Sequence, residues 1–234
     1  KMAEAGKTTL EQEEERFVST NTAIINEIIS LCILMLMIIF PLIYDDAYAN
    51  IMDVKYVSYY IPVIMMLGLL LIAAVIMAIM DKKKYEGRYT KKVLSGLLPK
   101  NWKKTFLVSD AAVLVFCLAV GISTFHSEYF FESFWGNEGR YSGMFLMTLY
   151  VAAYLVISRF WKLREWYLEV FLVTGLIMCI FGITDYFRMD ILHFRGPYTD
   201  PSESDIFTST IGNINSFTAY VGMFMGFSGA MFIT

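Results

Sequence analysis

Apolar runs long enough to cross a bilayer alternate with short polar stretches six times along the chain. The runs cover residues 24–43, 57–80, 105–125, 141–158, 166–187 and 216–234. Each is close to the roughly 20 residues that a helix needs to cross about 30 Å of hydrocarbon. Hydrocarbon offers no partner to a backbone N–H or C=O, so runs of this length are helices rather than open strands. The expectation is an all-α fold, a polytopic bundle of six transmembrane helices over residues 24–234, preceded by a cytoplasmic lead-in of residues 1–23. The acidic stretch Glu11, Glu13, Glu14 and Glu15 ahead of Arg16 is helix-prone and enters the first span without a Gly or Pro break.

Charge gives the bundle a direction. Of 19 Lys and Arg residues, three lie in residues 1–23, nine in the 81–104 loop and three in the 159–165 turn. The alternate loops keep Lys55, Arg140, Arg188 and Arg195. Loops rich in Lys and Arg stay in the cytoplasm, so both ends of the chain are expected there, with loops 45–56, 126–140 and 188–215 outside.

The 57% hydrophobic content and mean hydropathy of +0.54 exceed those of a soluble domain. The basic run Lys82, Lys83, Lys84, Arg88, Lys91 and Lys92 flanks helix ends, which reads as topology anchoring or anionic-lipid contact rather than nucleic-acid binding. Cys32, Cys117 and Cys179 sit inside spans as small apolar residues, with neither disulfide nor metal spacing. Lys1 precedes Met2, and the last span runs to Thr234. The expectation is the front portion of a longer protein.

Two constellations carry chemistry. The aromatic 126–140 loop, with Tyr129, Phe130, Phe131, Phe134 and Trp135, suits the membrane interface. It leads into Gly136-Asn137-Glu138-Gly139-Arg140-Tyr141-Ser142-Gly143, which delivers an arginine between glycines. Glycine lets backbone approach a ligand closely, and the guanidinium fork matches phosphate oxygens. Snorkelling of Arg140 to headgroups is the plainer alternative. The second constellation, Ser209-Thr210-Ile211-Gly212-Asn213-Ile214-Asn215-Ser216, enters the sixth span, where Asn215 or Ser216 is expected as N-cap of an anion-binding helix end. Arg195 lies in the intervening loop, and Asp185 is expected to pair with Arg140 or Arg195. Glu27, Asp110 and Glu169, toward cytoplasmic ends, are expected either to snorkel or to pair with nearby Lys and Arg. His126 and His193 are candidate bases near neutral pH, with a structural role the plainer reading.

The run Gly139-Arg140-Tyr141-Ser142-Gly143 followed by Gly212-Asn213-Ile214-Asn215 resembles the O-antigen ligase and polymerase family, over residues 123–234. The family's second motif often reads Gly-Asn-Pro-Asn, and Ile214 stands in the proline's place. The resemblance implies a GT-C-like glycosyltransferase of the bacterial cytoplasmic membrane. Such an enzyme moves a glycan from an undecaprenyl-diphosphate carrier to an acceptor on the outer face, without metal or other cofactor. It further implies that outer-face arginines, here Arg140 and Arg195, hold the lipid diphosphate; the helix-entry reading adds Asn213 and Asn215 to that site, with Gly139, Gly143, Gly212 and Asp185 supporting it. The base that activates the acceptor hydroxyl is expected in a large outer loop in the later half of such proteins, and is not seen here. The 234 residues alone are therefore expected to be inactive. A transporter or flippase-like lipid carrier is the alternative, disfavoured by the apolar central thirds of the spans. A non-catalytic membrane scaffold is the third reading.

Overall fold

The computed structural model describes residues 2–45, 50–97, 108–137, 139–187, 189 and 208–233, with backbone alone for residues 2–10, 96 and 97. Among them there is no strand. The helices are α1 (Met2–Leu42), α2 (Ile51–Tyr85), α3 (Thr90–Val93), α4 (Val108–Phe125), α5 (Phe130–Trp135), α6 (Met144–Phe160), α7 (Glu165–Tyr186) and α8 (Ile214–Ile233). Tight 3-10 turns occupy Leu94–Leu97 and Ser209–Ile211. Five described helices, α1, α2, α4, α7 and α8, are long and apolar enough to cross a membrane. The chain is a multi-pass membrane protein.

The fourth expected span, over 141–158, is the shorter apolar helix α6, of 17 residues. It starts at Met144 because Tyr141 has a left-handed backbone (φ 49°), incompatible with a helical start there. Other differences also arise at helix ends. The acidic lead-in is part of α1, which at 41 residues is about 60 Å long at 1.5 Å per residue, about twice the hydrocarbon thickness. The expected 45–56 connector yields its second half to α2, so Asp53 and Lys55 are helical. The 81–104 loop contains α3, and the 126–140 loop contains α5.

The chain divides into two compact units. The first comprises Lys1–Cys32, Val63–Asn137 and Tyr141–Lys162; the second comprises Ile33–Pro62, Glu138–Arg140 and Leu163–Thr234. In the first, the extended ends of α1 and α2 meet through Phe17, whose ring lies 5.5 Å from Tyr85 and 5.9 Å from Tyr89. Lys92 pairs there with Glu14. The basic segment after α2 is organised by one buried carboxylate. Asp81 Oδ2 accepts from the Tyr89 N–H (3.0 Å), the Thr90 N–H (2.7 Å) and the Thr90 hydroxyl (2.7 Å). Left-handed Glu86 and Gly87 turn the chain back toward it.

Helices α4 and α6 are tied by charge. Arg159 Nη2 lies 2.8 Å from Asp110 Oδ2, with side-chain exposures of 7% and 2%, and the Tyr154 hydroxyl donates to Asp110 Oδ1 at 3.0 Å. Of the two expectations for Asp110, snorkelling or pairing, the structure shows the pairing. On α1, buried Asn26 accepts from the Lys162 N–H (2.8 Å) and buried Ser30 from the Trp161 indole (3.3 Å), holding the segment that follows α6.

In the second unit α7 and α8 pack by shape. A Cβ on Gly182 would lie 2.5 Å from Phe217 Cζ, and one on Gly175 would enter the Phe224 ring. Two glycines seven residues apart thus form a seam for two phenylalanines seven apart. Small residues drive such pairing in lipid, where helix association gains nothing from leaving the solvent. Elsewhere the helices present Leu71, Ile79, Leu118 and Phe232 outward, as a hydrocarbon surround requires.

Two predictions follow from this packing, both read by thermal unfolding in detergent. Asp110→Leu, which strands a buried guanidinium, is expected to cost about 3–5 kcal/mol, and the double change Asp110→Leu/Arg159→Leu less. Equal losses would remove the case for coupling. Gly175→Leu and Gly182→Leu are each expected to cost about 1–3 kcal/mol by overpacking. Gly222→Ala, in open space on α8, should leave stability unchanged or slightly raised.

Candidate functional site

The two sequence constellations fold into loops of opposite character. The first, residues 136–143, closes on itself. A Cβ on Gly136 would lie 2.6 Å from Ser142 N, and one on Gly143 would overlap Phe134 O and Gly136 N. Only glycine permits this neck, and Gly136 also has φ 87°, ψ 158°, a region closed to other residues. Inside the loop the Tyr141 N–H donates to Asn137 O at 3.0 Å. Gly139 (φ 77°) and Tyr141 (φ 49°) turn the tip, where Arg140 is exposed.

Helix α5 precedes that loop. Phe130 and Phe134 stack at 6.0 Å, Trp135 meets Phe134 edge-on at 4.9 Å, and Phe145 of α6 closes the cluster at 5.1 Å from Trp135. Tyr129, Phe130, Phe131 and Trp135 remain exposed, as rings in a membrane interface do. A polar cavity of about 510 Å³ opens beside this cluster, with Gly136 and Gly143 in its wall. Its side chains are Ser127, Tyr129, Glu132, Ser133, Asn137 and Ser142. The sequence reading named Tyr129, Asn137 and Ser142 in its first constellation but did not single out Ser127, Glu132 or Ser133. Their only advance signal was that the loop mixes carboxylate, amide and hydroxyls with aromatics.

The second constellation is largely consumed by structure. Thr208, Ser209 and Thr210 are buried. Asp185 Oδ2 accepts from the Thr208 N–H (2.8 Å) and the Ser209 N–H (3.3 Å). The Ser209 hydroxyl donates to Met178 O (3.1 Å), and the Thr210 hydroxyl to Pro41 O (2.7 Å). Lys55, counted among the basic residues of an outer loop, is instead buried. Its ammonium donates to Phe40 O (2.5 Å) and Pro41 O (2.8 Å) and stands 5.4 Å from the Phe40 ring centre. It closes the C-terminus of α1, where four carbonyls lack helical partners and a cation is favoured. Gly212 has φ 80°, and a Cβ there would lie 2.6 Å from the Ile51 side chain.

At the start of α8 the cap is Asn213, not Asn215 or Ser216. Asn213 Oδ1 accepts from the Asn215 N–H (2.9 Å) and the Ser216 N–H (3.2 Å). An Asn two or three residues before the first free amides has the required reach, so those donors are occupied rather than open to an anion. The exposed carboxamide of Asn215 stays available. Asp185 holds the 208–209 backbone, and its expected pairing with Arg195 falls outside the described residues. Arg140, Gly139, Asp185, Gly212, Asn213 and Asn215 share the second unit, whereas Gly143 belongs to the first. Arg195, Arg188 and His193 lie outside the described residues. His126 Nδ1 is 2.9 Å from Ile122 O, so that nitrogen carries the proton and caps α4, a structural role.

Comparison of the chain with family models, curated proteins and solved structures finds no match.

Gly212→Ala is expected to destabilise by more than about 1 kcal/mol, since it combines a left-handed backbone with a steric conflict. Adding Ile51→Ala should recover part of the loss measured by thermal unfolding. No recovery would show that the Ile51 contact does not contribute.

Proposed function

We propose that the chain is part of an O-antigen ligase-like glycosyltransferase, which transfers a glycan from undecaprenyl diphosphate to an acceptor at the outer face of the bacterial cytoplasmic membrane. Both ends of the described chain are then cytoplasmic, the orientation that the distribution of Lys and Arg favours. The observation that carries the reading is Arg140. It is the exposed cation of a glycine-necked loop on an aromatic, interface-suited base, where a lipid-linked diphosphate arrives.

Cleavage of a sugar–diphosphate bond builds negative charge on the leaving phosphate. A guanidinium at the phosphate lowers the barrier by meeting that charge as it develops. In this reading the Asn215 side chain adds a neutral donor, and Arg195 a second cation. Asn213 and Asp185 act one step removed, by fixing the start of α8 and the 208–209 backbone.

Arg140→Ala in the full-length protein is expected to reduce transfer of lipid-linked glycan at least 100-fold, on the scale of losing one transition-state donor at about 2.7–4 kcal/mol. Arg140→Lys should recover only part, because the ammonium lacks the bidentate fork. The measurement is glycan attached to acceptor in cells lacking the native copy, with protein abundance checked in the membrane fraction. Unchanged glycan in Arg140→Ala cells would refute the transferase reading.

A further inference from the structure

The cavity beside α5 belongs to the first unit and is not explained by the reading above, since none of its lining side chains is cationic. Its polar groups are unevenly used. Ser127 Oγ accepts from the Ser133 hydroxyl (2.7 Å) and from the Tyr129 N–H (3.1 Å). A serine oxygen has two lone pairs and one proton, so both acceptor sites are filled and the proton of Ser127 is left to donate. The carboxylate of Glu132, the carboxamide of Asn137 and the hydroxyl of Ser142 make no side-chain hydrogen bond to another described residue. Tyr129, 69% exposed, offers a ring face at the rim.

From this arrangement we propose that the cavity binds a neutral sugar ring. A sugar hydroxyl both donates and accepts, and the wall supplies both functions: acceptors on Glu132 and Asn137, donors on Ser127, Asn137 and Ser142. The C–H face of a sugar packs on an exposed aromatic ring without needing charge. The volume of about 510 Å³ falls within the range of about 300–1,000 Å³ of small-ligand sites. A free phosphate is disfavoured, because Glu132 repels it and no lining cation offsets the repulsion. The walls are set in advance by the Gly136–Gly143 neck and the Ser127–Ser133 bond, so binding orders little further chain.

The inference rests on the transferase reading only in taking the sugar as part of the carried glycan, and the test does not use the carrier. Purified protein, in a detergent without a sugar headgroup, is titrated with glucose, galactose and N-acetylglucosamine. Saturation-transfer NMR reads the binding of each. At least one sugar is expected to bind in the millimolar range. Glu132→Gln and Asn137→Ala should each weaken it about tenfold, and Tyr129→Ala should remove transfer to the ring protons. Glu128→Gln, an exposed neighbour outside the cavity, should have no effect. Absence of binding by all three sugars would overturn the proposal, as would binding unaffected by both Glu132→Gln and Asn137→Ala. Displacement of the sugar by tetramethylammonium at lower concentration would also overturn it, by showing a cation site. Loss of sugar binding with glycan transfer still dependent on Arg140 would leave the transferase reading standing alone.

Discussion

Where a helix stops, its last carbonyls and the next helix's first N–H groups have no partner within the helix, and this chain answers with side chains. Lys55 and Thr210 together take the carbonyls of Phe40 and Pro41 at the end of α1. Asn213 takes the first amides of α8, and Asp185 takes those of Thr208 and Ser209. In the other unit, Asp81 receives the start of α3 and Asn26 the backbone after α6. An unsatisfied backbone group in hydrocarbon costs several kcal/mol, so each of these polar residues fixes where a helix can end.

Packing follows from the same solvent. Leucine side chains gain little by leaving lipid for another helix, so helix pairs need shape or charge to stay together. In the second unit α7 and α8 use shape, with Gly175 and Gly182 receiving Phe224 and Phe217. In the first, α4 and α6 use the buried Asp110–Arg159 pair with Tyr154 as a further donor. A buried pair adds little net stability over an apolar substitute, but it penalises every arrangement that separates the charges. The α4–α6 contact is therefore specified more sharply than it is stabilised.

The existence of the helices was legible because twenty apolar residues in sequence admit one structure in a bilayer. Their ends were not, because they are set by partners distant in sequence. Nothing near Lys55 announces that it will close α1, since its acceptors lie 14 and 15 residues away. Thr208, Ser209 and Thr210 look like solvent-facing loop residues, yet they are buried because Asp185, Met178 and Pro41 use their polar groups. Within the candidate site, exposed Arg140 and its glycine neighbours were legible as a motif. The contribution of Gly136 as half of a neck was not, because it requires Gly143 to lie against it. The cap moved from Asn215 to Asn213 because reach, not residue type, decides which asparagine serves.

The distinction between spent and unspent polar groups also separates the two loops as functional candidates. In the 208–216 segment, the carboxylate of Asp185, the hydroxyls of Ser209 and Thr210 and the carbonyl of Asn213 are engaged in holding backbone or neighbouring side chains. Changing them alters the fold before it alters any ligand. In the 127–143 segment the fold is held by glycine contacts, ring stacking and the Ser127–Ser133 bond, which leaves Glu132, Asn137 and Arg140 without a structural duty. A side chain that orders nothing can be replaced at small cost to folding, so a large functional effect of its removal reports directly on a ligand. That property, more than the motif itself, makes the aromatic loop the place where chemistry at this membrane face is to be sought.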